Sequence, residues 1–231
     1  MSNNFSKWFL VSDIDSTLNN KFMRLPKKNK AAVERFVSGG GVFTLCSGRN
    51  LQSLTIHYKK LGIETPAIFL NGAGIYDFKS KSFLDYNPIS GDGEKIILDT
   101  LAKTKGVQLT VYAPEVIYRA TKKCFYGYLI SKFDNLSCEL CKTVEDLPRG
   151  VWGKVTFFGA NSKIRELNDF FANEQNKKIF DCFITSPVTL ELSDCGVNKG
   201  SAVKKLADIL GVDMNNTAAI GDYYKYSFEK I

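Results

Sequence analysis

Residues 8–18 read Trp-Phe-Leu-Val-Ser-Asp-Ile-Asp-Ser-Thr-Leu, and this stretch decides the fold. A short apolar run, Trp8-Phe9-Leu10-Val11, stops at a pair of carboxylates, Asp13 and Asp15. A buried strand that ends in D-x-D-x-T puts two acids at the carboxyl end of a parallel sheet, where open α/β folds hold their ligand crevice. Two like charges this close cost Coulomb energy unless a cation or a proton offsets them. A divalent metal with a phosphate is the expected occupant.

Outward from that strand, the first 80 or so residues alternate strand and helix. Pro26 opens a helix that runs to Phe36, and Gly39-Gly40-Gly41 stops it. A second buried strand is expected over 42–46, a helix over 51–61 stopped by Gly62, and a third strand over 67–70 ending at Asn71. This βαβαβ order predicts an α/β fold with a doubly wound parallel sheet. Between about 83 and 187 the style changes to short half-polar strands with helices over 94–105 and 162–175. Strands are expected there over 107–111, 154–158 and 180–185. Such alternation suits a sheet covered on one face, so this part reads as an inserted α+β module. The end returns to the first style, with a helix opened by Asn198-Lys199-Gly200 and closed by Gly211, then a strand over 217–220. The expected division is a core over 1–82 and 190–231, with an inserted domain over 83–189.

The chain has 231 residues, enough for one large domain or two modest ones. Its apolar share of 44% and charged share of 24% are those of a soluble globular protein. No stretch approaches the length of a membrane span, and the start lacks a basic segment followed by a long apolar one. A cytoplasmic protein without membrane contact is expected. The net charge of +7 comes from scattered lysine pairs such as Lys27-Lys28 and Lys204-Lys205. No dense basic stripe interleaved with aromatics exists, so nucleic acid is not expected as a partner. A mildly positive field favours anionic substrates such as phosphate esters.

Six cysteines are spaced irregularly. Cys138 and Cys141 form one C-x-x-C, but no second pair completes a zinc site, and free thiols are expected. His57 is the single histidine, in a helix-like segment, and is read as structural.

Four segments carry the chemistry: the 13–17 loop, Thr44-Leu45-Cys46-Ser47-Gly48-Arg49, Lys199, and Gly221-Asp222. Strand ends of a parallel sheet share one edge, so these loops can converge. Together they offer a nucleophilic carboxylate, a second acid, a hydroxyl, an ammonium and a third acid. That set fits phosphoryl transfer, which needs positioning and charge neutralisation, and an Asp can attack phosphorus to form an aspartyl phosphate. Mg2+ prefers such oxygen ligands.

In this order, with LNGAGIYD at 70–77, the NKG segment and AIGDYY, the chain resembles Cof-type phosphatases of the haloacid dehalogenase superfamily. The resemblance covers nearly the whole sequence. It implies a Rossmannoid core with a mobile inserted cap that supplies specificity, and Mg2+-dependent hydrolysis of small phosphorylated metabolites of the sugar-phosphate type. It implies Asp13 as nucleophile and metal ligand, and Asp15 as acid/base with its main-chain carbonyl on the metal. Thr17, Ser47, Gly48 and Lys199 are implied at the phosphate, Asp222 at the metal, and Asn71 and Arg49 in substrate or loop positioning.

Three places depart from the pattern. Ser16 stands where the family has Gly, Lys225 where it has Asn, and Tyr226 where it has a second Asp. A cation beside the metal site repels the metal. The sequence continues only nine residues past Asp222, short of a further helix and strand, which makes a truncated form of a longer protein one expectation. An uncovered sheet edge favours self-association, so a monomer or weak dimer is expected. The alternative to an active phosphatase is a catalytically weak or inactive relative that binds a phosphorylated ligand.

Overall fold

A computed structural model of the chain describes residues 4–20, 22–120 and 138–221. Cys124, Asp222, Lys225 and Tyr226 lie outside them. The chain forms two units, Met1–Tyr86 with Asn198–Ile231, and Asn87–Val197. This division crosses at 86/87 and 197/198, beside the expected crossings at 82/83 and 189/190.

The first unit is built on a parallel sheet. Strand β1 (Phe9–Ser12) lies between β2 (Val42–Leu45) and β12 (Thr217–Ile220), in register Ser12↔Leu45 and Ser12↔Ile220. A parallel bridge from Cys46 to Ile68 adds β3 (Ala67–Phe69) on the far side of β2. The chain first moves outward from β1 to β3 and later returns on the other side at β12, so the order reverses beside β1. That reversal is the crevice of an open α/β sheet, and Asp13 follows β1 directly.

Helix α1 (Lys27–Ser38) starts after Pro26, whose missing N–H costs nothing at a helix start, and ends at Gly39. Helix α2 (Leu51–Leu61) is capped by Asn50, whose side chain accepts from the Ser53 N–H at 3.2 Å. It ends at Gly62, left-handed at φ 66°. After β3 the chain turns through Leu70–Gly72 into an antiparallel hairpin, β4 (Gly74–Asp77) and β5 (Ser82–Tyr86). The core joins Phe9, Val11, Cys46, Ile68 and Ile75 to Ala202, Val203, Leu206 and Ala207 of the last helix. Full burial of each large apolar side chain contributes about 1.5–3 kcal/mol.

The second unit is a six-stranded sheet ordered β10-β11-β9-β6-β7-β8. Its strands are β6 (Gln108–Tyr112), β7 (Ile117–Ala120), β8 (Cys138–Cys141), β9 (Lys154–Phe158), β10 (Phe180–Ser186) and β11 (Thr189–Asp194). Helices α3 (Gly91–Lys103) and α4 (Asn161–Phe171) cover one face. There Ile97, Leu101, Ile164, Leu167 and Phe171 pack on Leu109, Val111, Val155, Phe157, Leu190 and Leu192. Strand alternation puts Gln108, Thr110, Arg119, Lys154 and Thr156 on the opposite face, and all five are buried. The C-x-x-C is the β8 strand itself, so its two thiols point to opposite faces. The five cysteines of the described residues form no disulfide with one another. Among the described residues no helix is long and apolar enough to cross a membrane.

Candidate active site

Asp13 sits where β1 meets β12, its N–H donating to the Ile220 carbonyl at 2.9 Å. Its carboxylate is held on both oxygens: Oδ1 accepts from the Ile14 N–H at 2.7 Å, and Oδ2 from Lys199 Nζ. Both side chains are buried, Lys199 to 3% exposure. Lys199 is the first residue of helix α5 (Lys199–Leu210), which a reciprocal cap of Asn198 and Ser201 fixes at its start. A lysine here places its charge by the precise start of a helix, as the N-K-G reading expects.

The loop after Asp13 doubles back at Ser16, which is left-handed at φ 56°. That conformation suits Gly best, so the Ser at this position carries a small backbone strain. The loop closes through the Asn19 N–H to the Ile14 carbonyl at 2.8 Å. Thr17 Oγ1, also in this loop, is buried and has no hydrogen-bond partner. A buried hydroxyl left without a partner costs about 1–3 kcal/mol, and a bound oxyanion in the loop can use it.

The second loop begins beside the first, since the Cys46 N–H donates to the Ser12 carbonyl at 2.9 Å. Ser47 is fully buried; its N–H donates to Ile68 and its carbonyl accepts from the Asn71 N–H at 3.0 Å. Ser47 Oγ accepts from the Arg49 N–H at 3.3 Å. Asn71 is itself left-handed at φ 58°. A Cβ on Gly48 would stand 2.6 Å from Asn71 Oδ1 and would push that side-chain amide aside. Gly72, at φ +107°, abuts the Asn198 carbonyl just before Lys199; a Cβ there would come within 2.2 Å. The end of β3 thus sets where Lys199 begins.

Arg49 turns to the first loop. Its Nε donates to Asp15 Oδ2 at 2.9 Å, its Nη2 to Asp15 Oδ1 at 2.6 Å, and its Nη1 to Ser53 Oγ at 2.6 Å. The structure therefore joins Asp13 to Lys199, Asp15 to Arg49, and Ser47 and Gly48 to Asn71. Asp222 lies outside the described residues.

Two residues near the loop, Asn19 and Ser53, went unread in the sequence, and a third, His57, was read there only as structural. Asn19 Nδ2 meets His57 Nε2 at 2.9 Å, and His57 Nδ1 meets the Ser53 carbonyl at 3.1 Å. Burial holds the His57 pKa below its usual value. The serine four residues before His57 was the available signal, since that spacing places two side chains on one face of α2.

Mg2+ takes hard oxygen ligands. Among the described residues no three His, Cys, Asp or Glu side chains gather to hold a metal. Asp13, with the main-chain carbonyl of Asp15, supplies donors of the right kind, and a third acid is expected only from Asp222.

The family model described as haloacid dehalogenase-like hydrolase matches residues 10–225. The chain is 26% identical over 253 residues to the 5-amino-6-(5-phospho-D-ribitylamino)uracil phosphatase YwtE of Bacillus subtilis, covering 92% of this chain and 80% of that protein. It is 24% identical over 219 residues to the HMP-PP phosphatase of Serratia proteamaculans, covering 91% and 75%. The crystal structure of a haloacid dehalogenase-like hydrolase from Bacteroides thetaiotaomicron superposes with a TM-score of 0.80 at 21% identity, over 94% of this chain and 82% of that one.

Proposed function

The chain belongs to the haloacid dehalogenase-like hydrolase family, and on that premise we propose that it is a Mg2+-dependent phosphatase of small phosphorylated metabolites, of the sugar-phosphate type, working through an aspartyl phosphate. The observation that carries this reading is the buried Asp13–Lys199 pair at the reversal of strand order. A carboxylate fixed by an N–H on one oxygen and an ammonium on the other is aimed rather than free. Both relatives above carry phosphatase names, which agrees with it.

In this reading a carboxylate oxygen of Asp13 attacks phosphorus, and the bond from phosphorus to the leaving oxygen breaks. Asp15 gives its proton to the departing alkoxide and then takes one from water, which attacks the aspartyl phosphate and frees Asp13 with inorganic phosphate. Lys199 offsets the charge of Asp13 and of the phosphoryl oxygens. Thr17, Ser47 and Gly48 line the phosphate, with Asn71 behind them. Asp13, the main-chain carbonyl of Asp15 and Asp222 would hold Mg2+, which when bound would neutralise phosphoryl charge. The unit Asn87–Val197 is the cap of this reading and selects the leaving group.

A second reading, a relative that binds phosphate esters without turnover, is favoured by Lys225 and Tyr226. Hydrolysis of p-nitrophenyl phosphate with and without Mg2+, beside Asp13→Asn, separates the two. Mg2+-dependent turnover that Asp13→Asn abolishes supports the phosphatase. Absence of turnover with retained phosphate binding supports the second reading.

A further inference from the structure

The loop that carries Asp13 and Asp15 is held from outside at two points, by His57 on helix α2 and by Arg49 just before that helix begins. Arg49, Ser53 and His57 follow at spacings of four residues, so they stack along α2 and its entry. Arg49 grips Asp15 in the loop, and His57 grips Asn19 at the loop's end. Ser53 ties the two contacts together, accepting from Arg49 on its hydroxyl at 2.6 Å and from His57 on its carbonyl at 3.1 Å.

The donors are fixed by their partners. The Ser53 carbonyl can only accept, so His57 Nδ1 carries the hydrogen. Neutral His57 then has a lone pair on Nε2, and Asn19 Nδ2 donates to it at 2.9 Å. Asn19, Ser53 and His57 are 2%, 3% and 8% exposed, so water does not substitute for these contacts. The main-chain N–H of Asn19 closes the loop on Ile14, the residue whose own N–H holds Asp13 Oδ1. A shift at Asn19 is thus transmitted through one residue, Ile14, to the nucleophile.

We propose that Asn19 and His57 are positioning residues for the reaction: they clamp the far end of the Asp13–Asn19 loop so that Asp13 and Asp15 keep their mutual placement. The inference rests on the phosphatase reading for its effect on rate and on the geometry alone for its effect on the loop. Displacement of reacting groups by about 1 Å costs on the order of 100-fold in rate.

The test compares wild type, His57→Leu, His57→Gln and Asn19→Ala on p-nitrophenyl phosphate with Mg2+. His57→Leu removes the acceptor, whereas the Gln side chain can present an oxygen to Asn19 Nδ2. The expected result is a kcat loss of about 10- to 100-fold in His57→Leu and Asn19→Ala with little change in KM. Restoration close to wild type is expected in His57→Gln, but not in the double variant with Asn19→Ala. Where wild type turns over, equal kcat in wild type, His57→Leu and Asn19→Ala overturns the proposal, as does a loss in His57→Leu that Gln does not reverse. Amide hydrogen exchange of the peptide spanning 13–20 is read on the same proteins. Faster exchange in His57→Leu than in wild type and His57→Gln supports the clamp even where wild type turns nothing over, an outcome that refutes the phosphatase reading alone. Unchanged exchange overturns the clamp. Should His57→Leu not fold, Asn19→Ala carries both measurements.

Discussion

Arg49 holds both carboxylate oxygens of Asp15 in a two-pronged grip, Nε to Oδ2 at 2.9 Å and Nη2 to Oδ1 at 2.6 Å, while its third nitrogen stays on Ser53. The guanidinium fork matches a carboxylate in a way an ammonium cannot. The Asp15 side chain is half exposed, so the pair adds only about 0–1 kcal/mol to stability. Its consequence is orientation. Arg49→Lys should therefore leave the melting temperature nearly unchanged and lower kcat on p-nitrophenyl phosphate about 10- to 100-fold. A circular-dichroism melt beside steady-state kinetics checks both halves.

The Asp13–Lys199 pair behaves differently because it is buried. Removing one partner strands a charge, at a cost of about 3–5 kcal/mol. Lys199→Met should destabilise the first unit strongly, and so should Asp13→Asn, while both abolish turnover. The double variant leaves no stranded charge and should lie well above the sum of the two losses. Urea melts of the four proteins give the coupling energy, and simple additivity would refute a direct pairing.

Gly72 and Gly62 share a left-handed backbone but not surroundings. A Cβ at Gly62 meets nothing within 4 Å, whereas one at Gly72 would come within 2.2 Å of the Asn198 carbonyl. Gly62→Ala should cost about 1 kcal/mol of backbone strain. Gly72→Ala adds a backbone clash, should cost about 2–5 kcal/mol, and should displace Lys199 enough to depress kcat. Paired melts and kinetics distinguish strain from clash.

The readable parts of this chain were those with punctuation. Asn198, Lys199 and Gly211 mark both ends of α5, and 51–61 is bounded by Asn50 and Gly62, so both helices stand where the sequence puts them. The β4–β5 hairpin, β7, β8 and β11 were not read. β5 exposes Ser82, Phe83 and Leu84 in succession, and β8 is the polar run Cys-Glu-Leu-Cys, so neither shows an alternating buried face. In the site, the motifs named Asp13, Asp15, Ser47 and Lys199. The Arg49–Asp15 and Asn19–His57 contacts span 34 and 38 residues and depend on how α2 lies on the loop, which no local pattern encodes.

Thr110 and Thr156 stand opposite each other on β6 and β9, and their hydroxyls are buried without hydrogen-bond partners. Each such hydroxyl carries a desolvation cost of about 1–3 kcal/mol. Valine has nearly the same shape and no hydroxyl. Thr156→Val should thus stabilise the second unit by about 1 kcal/mol, a rise of a few degrees in melting temperature by calorimetry. A fall would mean that the hydroxyl is satisfied in solution.

His57 gives the first unit a pH dependence whose sign follows from its surroundings. Burial lowers its pKa most; the Ser53 carbonyl and Asp15 raise it, while Arg49 and Lys60 lower it. The net direction is downward, so the unfolded chain takes up a proton more readily than the folded one. Stability contributed by neutral His57 is then fully present above about pH 6.5 and is lost as pH falls through the lower folded value. Protonation would also put a hydrogen on Nε2 facing the Asn19 amide, which is itself a donor. His57→Gln has no proton to take up in this range. Urea melts from pH 8 to pH 5 should show wild type losing more stability than His57→Gln below about pH 6.5, and parallel curves would show that His57 takes up its proton as readily in the folded chain as in the unfolded one.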